Sequence, residues 1–247
     1  MVVSDPLSWA DLAHDVLAEE LPGRPLRTYP ALLSTEADAM AWARTEAPDG
    51  ALVVADYQAS PRGRGGLPWE VHAGRGIGFS LVLRPTLEPA REGWLYTVAT
   101  SGLAAVVETA QGAPAAVRWP DEILVDGQRA AAVGVYAEPE ATGLDWAVMT
   151  VLLVEADPPR APLLGRAVTA IEQRLERETD DVLQEHEQRC ATLGRRVRAH
   201  LVPLGPAGTV IEGEAVGCRA DGALAIETGP GRRIAIPPRD LGRLEEL

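Results

Sequence analysis

Residues 60–69 read Ser60-Pro61-Arg62-Gly63-Arg64-Gly65-Gly66-Leu67-Pro68-Trp69. Glycines let backbone N–H groups approach an anion, and arginines bind phosphate or carboxylate through paired, charge-assisted hydrogen bonds. Taken alone, such a stretch reads more readily as a mobile surface loop. Further along, Arg118-Trp119-Pro120-Asp121-Glu122 sets a cation beside two adjacent carboxylates, and Arg129 follows. Asp121 and Glu122 could ligate Mg²⁺ through oxygen; they could equally open the next strand as solvated residues. The chain has no lysine and no asparagine, so all 23 of its basic residues are arginine. No side-chain amine is therefore available, and the arginine that stands in for it is a bulky planar fork rather than a point charge. A GC-rich coding bias accounts for the missing residue types and for the single phenylalanine.

The elements that must position these groups follow from periodicity and punctuation. Residues 8–20 predict a short helix, with Ser8 as cap and Asp11 three residues on in a capping box. A second helix is expected over 34–43, with Ser34 or Thr35 at its N-cap. Short apolar runs at 51–55 and 79–84 read as buried strands, and 92–110 as a long apolar helix. Residues 117–119 enter a strand, and 122–125 and 131–137 form a hairpin about Asp126-Gly127. One more strand spans 146–154. The proline-rich segment 158–162 then leads into helices over 163–192, apolar on one side and Glu/Arg on the other. From Arg196 onward, short strands at 197–202, 208–216, 223–226 and 233–236 alternate with Gly-rich turns, which suits a small SH3-like β barrel. The expected fold is α+β: a mixed sheet with packed helices over residues 1–192, then the barrel over 193–247.

With 36 acidic and 23 basic residues the net charge is -13. Such a surface repels phosphate backbones and anionic lipid, which argues against nucleic acid and membrane as partners. No apolar stretch reaches the ~18 residues of a membrane span, and no signal-peptide pattern opens the chain, so a cytoplasmic location is expected. Cys190 and Cys218 form no C-x-x-C pair and sit near no His cluster, so reduced thiols are expected rather than a zinc site. His14, His72, His186 and His200 are scattered and read as surface or core residues rather than catalytic bases.

Several blocks, in order along nearly the whole chain, resemble biotin protein ligases. Gln58, Arg62-Gly63-Arg64 and Trp69 resemble the family signature Q-x-x-G-R-G-R-R-G-R-x-W. Ser34-Thr35 resembles its S-T-N, and residues 79–85 the strand after the signature loop. Arg118-Trp119-Pro120-Asp121-Glu122 resembles K-W-P-N-D. Residues 192–197, 212–216 and 221–224 resemble the family's small C-terminal barrel. The resemblance implies binding of ATP, magnesium and biotin or a related acid, formation of an acyl-adenylate, and transfer of the acyl group to a lysine of a carrier protein. It also implies pairing into homodimers. By position it assigns Ser34, Thr35 and Gln58 to the polar head of the acid. Arg62, Gly63 and Arg64 fall in the substrate-covering loop, with Arg64 reaching the nucleotide. Trp69 takes the adenine side, Arg118 and Asp121 the nucleotide, Asp121 and Glu122 the metal. Arg129 takes the place of the essential lysine, with Arg118 as a second catalytic cation.

The departures are specific. Pro61, Gly65 and Leu67 replace a glycine and two arginines of the loop, and Glu36 replaces the asparagine of S-T-N. Asp121 and Glu122 replace Asn and Asp. Val151-Leu152-Leu153-Val154-Glu155 stands where the family has G-I-G-I-N, and side chains there are expected to fill ligand space. Arg129 lies two residues farther from Gly134 than the K-x-x-G spacing allows. Three functions follow: an adenylate-forming ligase for a small carboxylic acid, a catalytically inactive small-ligand-binding protein, and a lipoyl or octanoyl transferase relative.

Overall fold

The computed structural model describes residues 9–69, 72–157, 159–205 and 208–247. A 3₁₀ turn at Ala10–Leu12 precedes α1 (His14–Glu20), β1 (Leu26–Leu32), α2 (Thr35–Arg44) and β2 (Leu52–Gln58). Then come β3 (Ile77–Leu83), α3 (Trp94–Gln111), β4 (Ala115–Arg118), β5 (Glu122–Val125), β6 (Gln128–Pro139) and β7 (Leu144–Leu153). The chain continues through α4 (Ala161–Leu175), α5 (Thr179–Arg189), β8 (Arg196–Leu201), β9 (Val210–Cys218), β10 (Leu224–Gly229), β11 (Arg232–Ile236) and β12 (Leu241–Glu246).

β1 to β7 form one mixed sheet in the order β1-β2-β3-β7-β6-β5-β4. Only β1 and β2 run parallel, joined by the α2 crossover. Side chains alternate across a strand, and here the alternation sorts two faces. Ile77, Phe79 and Leu81 of β3 and Met149, Val151 and Leu153 of β7 enter the main core with apolar residues of α3 and α4. Their neighbours point the other way. Val82 and Val148 pack with Ala39 and Ala43 of α2. Beyond α2 that second face continues through Gly78, Ser80, Thr150, Leu152, Ala132 and Gly134, as the pairings Gly78↔Leu152, Ser80↔Thr150, Ala132↔Leu152 and Gly134↔Thr150 require.

The second sheet has the order β11-β10-β9-β8-β12. Among the described residues its edge strands β11 and β12 do not pair, so the expected barrel is an open sheet here. Val197, Ala215, Leu224 and Ile236 form its core, and Trp119 and Cys190 enter that core from the first sheet's side. Trp119 Nε1–H donates to the Gly222 carbonyl at 3.0 Å, and its N–H to Thr192 Oγ1 at 3.0 Å.

Most expected elements are present, with instructive exceptions. The first helix starts only at His14. Ser8 lies outside the described residues, and the Asp11 carboxylate accepts from Arg160 instead of completing a capping box. β1 was not anticipated because Pro30 interrupts it; an edge strand tolerates proline, and Pro30 is exposed there. β12 was hidden by Arg243, Glu245 and Glu246. Ser34 caps α2 as expected, its Oγ accepting from Ala37 N–H at 3.4 Å. The hairpin turns on Asp126 and Gly127, both at positive φ, as a tight two-residue turn demands. No helix among the described residues is long and apolar enough to cross a membrane.

Candidate functional site

A buried polar chain lies where the second face of the sheet meets the start of α2. Gln58 Oε1 accepts from Thr35 N–H at 2.8 Å and from Thr35 Oγ1 at 3.1 Å. Ser80 Oγ donates to Thr35 Oγ1 at 2.9 Å and lies 2.8 Å from Thr150 Oγ1. Each hydroxyl has one proton. Ser80 uses its own on Thr35, so Thr150 must donate to Ser80. The chain therefore runs one way, Thr150 to Ser80 to Thr35 to Gln58. It fixes the Gln58 amide with oxygen inward and turns its NH₂ donors away from these partners. Gly78 makes this rotamer fit, because a Cβ there would come 2.2 Å from Gln58 Nε2. Ser80 and Thr150 were not singled out from sequence, although each is a lone hydroxyl in an apolar strand.

The glycine loop crosses the same face one strand farther on. Gly63 rests against Gly134 of β6, where an added Cβ would lie 3.1 Å from the Gly63 carbonyl carbon. The Trp69 indole packs on Gly63 so closely that a Cβ on Gly63 would lie 2.0 Å from Nε1. Arg62 turns back into the loop, donating to the Gly66 carbonyl at 3.0 Å, with Glu36 in its electrostatic field. Arg64 points the opposite way, Nη1 donating to the Leu241 carbonyl at 2.5 Å and Nε 3.2 Å from Asp121 Oδ1.

Beyond the loop lies a cleft of about 400 Å³, lined by Arg64, Trp69, Arg118, Asp121, Glu122 and Arg129 on one side and by residues 241–244 of β12 on the other. The structure thus brings Arg64, Arg118, Arg129 and Trp69 together and leaves Arg62 out. Arg129 reaches the cleft through a β-bulge. Ile123 pairs with Ala131 but Leu124 pairs with Arg129, so Ala130 is an extra residue. Both Ala130 and Ala131 face the helix-side core. In regular alternation Arg129 would share the face of Ala131; the bulge re-aims it onto the face of Glu122.

Glu122 is held from two sides, by Arg118 through Nε at 2.5 Å and by an ion pair with Arg129. Burial pushes the Asp121 carboxyl above its ordinary range, and Arg64 draws it partly back. Both Glu122 oxygens and Asp121 Oδ1, the groups expected to meet a metal, thus face guanidinium groups. The G-I-G-I-N expectation is corrected in part. Val151 and Leu153 face the helix-side core, while Leu152 stands on the site face, between Gly78 and Ala132. The expected isolation of the cysteines is also overturned: His186, Cys190 and Cys218 are all buried, with ligand atoms within 4.8 Å of one another.

Residues 31–149 match the model of the biotin/lipoate A/B protein ligase family. The chain is 34% identical over 125 residues to the bifunctional ligase/repressor BirA of Bacillus subtilis, a match spanning 51% of this chain but only 38% of that protein. It is 28% identical to the biotin–[acetyl-CoA-carboxylase] ligase of Mycobacterium tuberculosis, covering 97% of this chain and 96% of that one. Among solved structures it is similar to the Aquifex aeolicus biotin protein ligase in complex with biotin and ATP, with a TM-score of 0.71 and 20% identity over 90% of this chain and 99% of that one. At that identity the structural likeness speaks for the fold alone.

Proposed function

We propose that this biotin protein ligase-like chain activates a small carboxylic acid, biotin or an analogue, with ATP and passes the acyl group to an amine of a carrier protein. The observation that carries this reading is the cleft shared by Arg64, Arg118 and Arg129 beside Trp69. The acid's polar head is read onto Thr35 and the outward Gln58 amide, the nucleotide onto the cleft, and the meeting point onto the glycine loop between them. In the first step a carboxylate oxygen attacks the α-phosphorus and pyrophosphate leaves. In the second an amine attacks the acyl carbon, AMP leaves, and the amine proton goes to solvent.

Negative charge grows on the phosphorus oxygens in the first step, so fixed cations are the main electrostatic aid the protein can offer. Arg118 and Arg129 are about half exposed while paired to Glu122, so incoming phosphate can compete for their open faces. Trp69 offers a ring face to a base. Mg²⁺ is read as arriving on the triphosphate, not as held by Asp121 and Glu122. We also read β8–β12 as the counterpart of the family's small SH3-like unit, with residues 1–192 forming the ligase-like part.

Incubating the protein with α-labelled ATP and biotin, lipoate or octanoate is expected to give acyl-AMP or AMP with at least one acid. No product with any acid, together with no ATP-dependent rise in melting temperature, would sink the ligase reading. A second reading, an inactive binding protein, draws on the ion pairing of all three cleft arginines and on Leu152 occupying the site face. It predicts thermal stabilisation by the acid alone and no turnover.

Gly78→Ala tests the acid pocket. The new methyl must push the Gln58 amide aside, losing one or two hydrogen bonds worth about 0.5–1.5 kcal/mol each. Calorimetry is expected to show roughly tenfold weaker acid binding, with a fall of a few degrees in melting temperature from the lost bonds. Unchanged affinity would place the acid elsewhere.

A further inference from the structure

We propose that His186, Cys190 and Cys218 form a buried site for a thiophilic divalent cation such as zinc, separate from the cleft. His186 and Cys190 stand four residues apart at the end of α5, and Cys218 ends β9. All three are buried, and their ligand atoms lie within 4.8 Å of one another. Tetrahedral zinc with bonds of ~2.3 Å to sulfur and ~2.0–2.1 Å to nitrogen needs ligand atoms roughly 3.5–3.8 Å apart. A contraction of about an ångström therefore turns the cluster into a coordination set.

The imidazole supplies the independent observation. Thr100 Oγ1 donates to the Tyr96 carbonyl at 2.8 Å, and Ser101 Oγ donates to the Thr97 carbonyl at 2.7 Å. Each has spent its only proton, so toward His186 Nδ1, 3.3 and 3.4 Å away, each can only accept. Nδ1 must then carry the ring proton, and Nε2 is left with a lone pair. That nitrogen is buried and has no hydrogen-bond partner. A buried lone pair, fixed in tautomer by the opposite nitrogen and set beside two thiols, is the arrangement of a metal-ligating histidine.

Uptake of the ion forms one bond to Nε2 and two to thiolate sulfur, and two thiol protons leave to solvent. Glu187 Oε1 accepts from Cys218 N–H at 2.8 Å but is not among the mutually close ligand atoms, so a water is the expected fourth ligand. The site would clamp α3, α5 and β9 together. It also abuts the cleft, because Ala191 N–H donates to the Val117 carbonyl at 2.8 Å and Thr192 Oγ1 holds the Trp119 N–H.

The test uses the full chain, produced with zinc or cobalt in the medium and desalted. Elemental analysis is expected to find about one metal ion per chain. The cobalt form is expected to show near-ultraviolet sulfur-to-cobalt charge transfer. Cys190→Ser with Cys218→Ser, and separately His186→Gln, are expected to lose most of the metal. Metal-free wild-type protein that gains no thermal stability from added zinc would overturn the proposal, and this arm needs no variant to fold. So would an intact mass two hydrogen atoms low, showing a Cys190–Cys218 disulfide, or folded variants that keep their metal.

Discussion

Arg129→Ala is expected to slow acyl-adenylate formation by about 10²–10³-fold, the usual loss when one preorganised charge-stabilising donor is removed. Arg129 shares its cleft with Arg64 and Arg118, but it alone owes its place there to a bulge. The deletion has a second consequence. Glu122 loses one of its two guanidinium partners, and its freed oxygen faces incoming phosphate with only Arg118 to offset its charge. ATP binding is therefore expected to weaken along with the rate. Arg129→Lys keeps the charge but not the fork, and is expected to recover most of the loss if point charge is what the reaction needs. Single-turnover measurement of acyl-AMP at saturating acid separates these outcomes. A wild-type rate in the alanine variant would show that the bulge places Arg129 on this face for no chemical purpose.

Arg160→Ala is expected to cause the largest loss of stability. The Arg160 side chain is 0% exposed and its guanidinium holds Asp56 at 2.5 Å and Asp11 at 2.7 Å. It also donates to the Gly76 carbonyl at 3.0 Å, while Asp56 accepts from Gly74 N–H at 2.9 Å. One buried cation thus ties the first turn, β2 and the return of the glycine loop to the start of α4. Removing it strands Asp56, which is itself buried, and breaking such a network costs about 3–5 kcal/mol. The melting temperature is expected to fall by roughly 6–20 °C. A fall of only a degree or two would mean that water or a shifted backbone replaces the cation. The same contacts set a pH dependence. Burial raises the Asp11 pKa, but the hydrogen bonds and charge of Arg160 outweigh it and hold the group below its ordinary value. Its contribution is therefore complete above the unfolded value of about 3.9 and is lost as pH falls through the lowered folded value. The variant is expected to lack that acid limb.

The main strands and the hairpin were legible because a period of two and an Asp-Gly turn are local signals. The Ser34 cap of α2 was legible for the same reason. β1 was not, since Pro30 speaks against a strand unless the strand is known to lie at an edge. The approach of Cys218 to His186 and Cys190 was illegible, because only the docking of β9 on α5 closes the 28-position separation of the two cysteines.

By itself the sequence determined the kind of permanent charge that meets an anion: a chain without lysine offers guanidinium and no ammonium side chain, whatever its fold. Which guanidiniums converge was decided in three dimensions. Residues 130–132 are three consecutive alanines, and such a run carries no preference for one register over another. Pairing with β5 on one side and β7 on the other forces one alanine out of step. That single extra residue turns Arg129 from the helix-packed core to the cleft, at a point where propensity is silent and only the geometry of two neighbouring strands can choose.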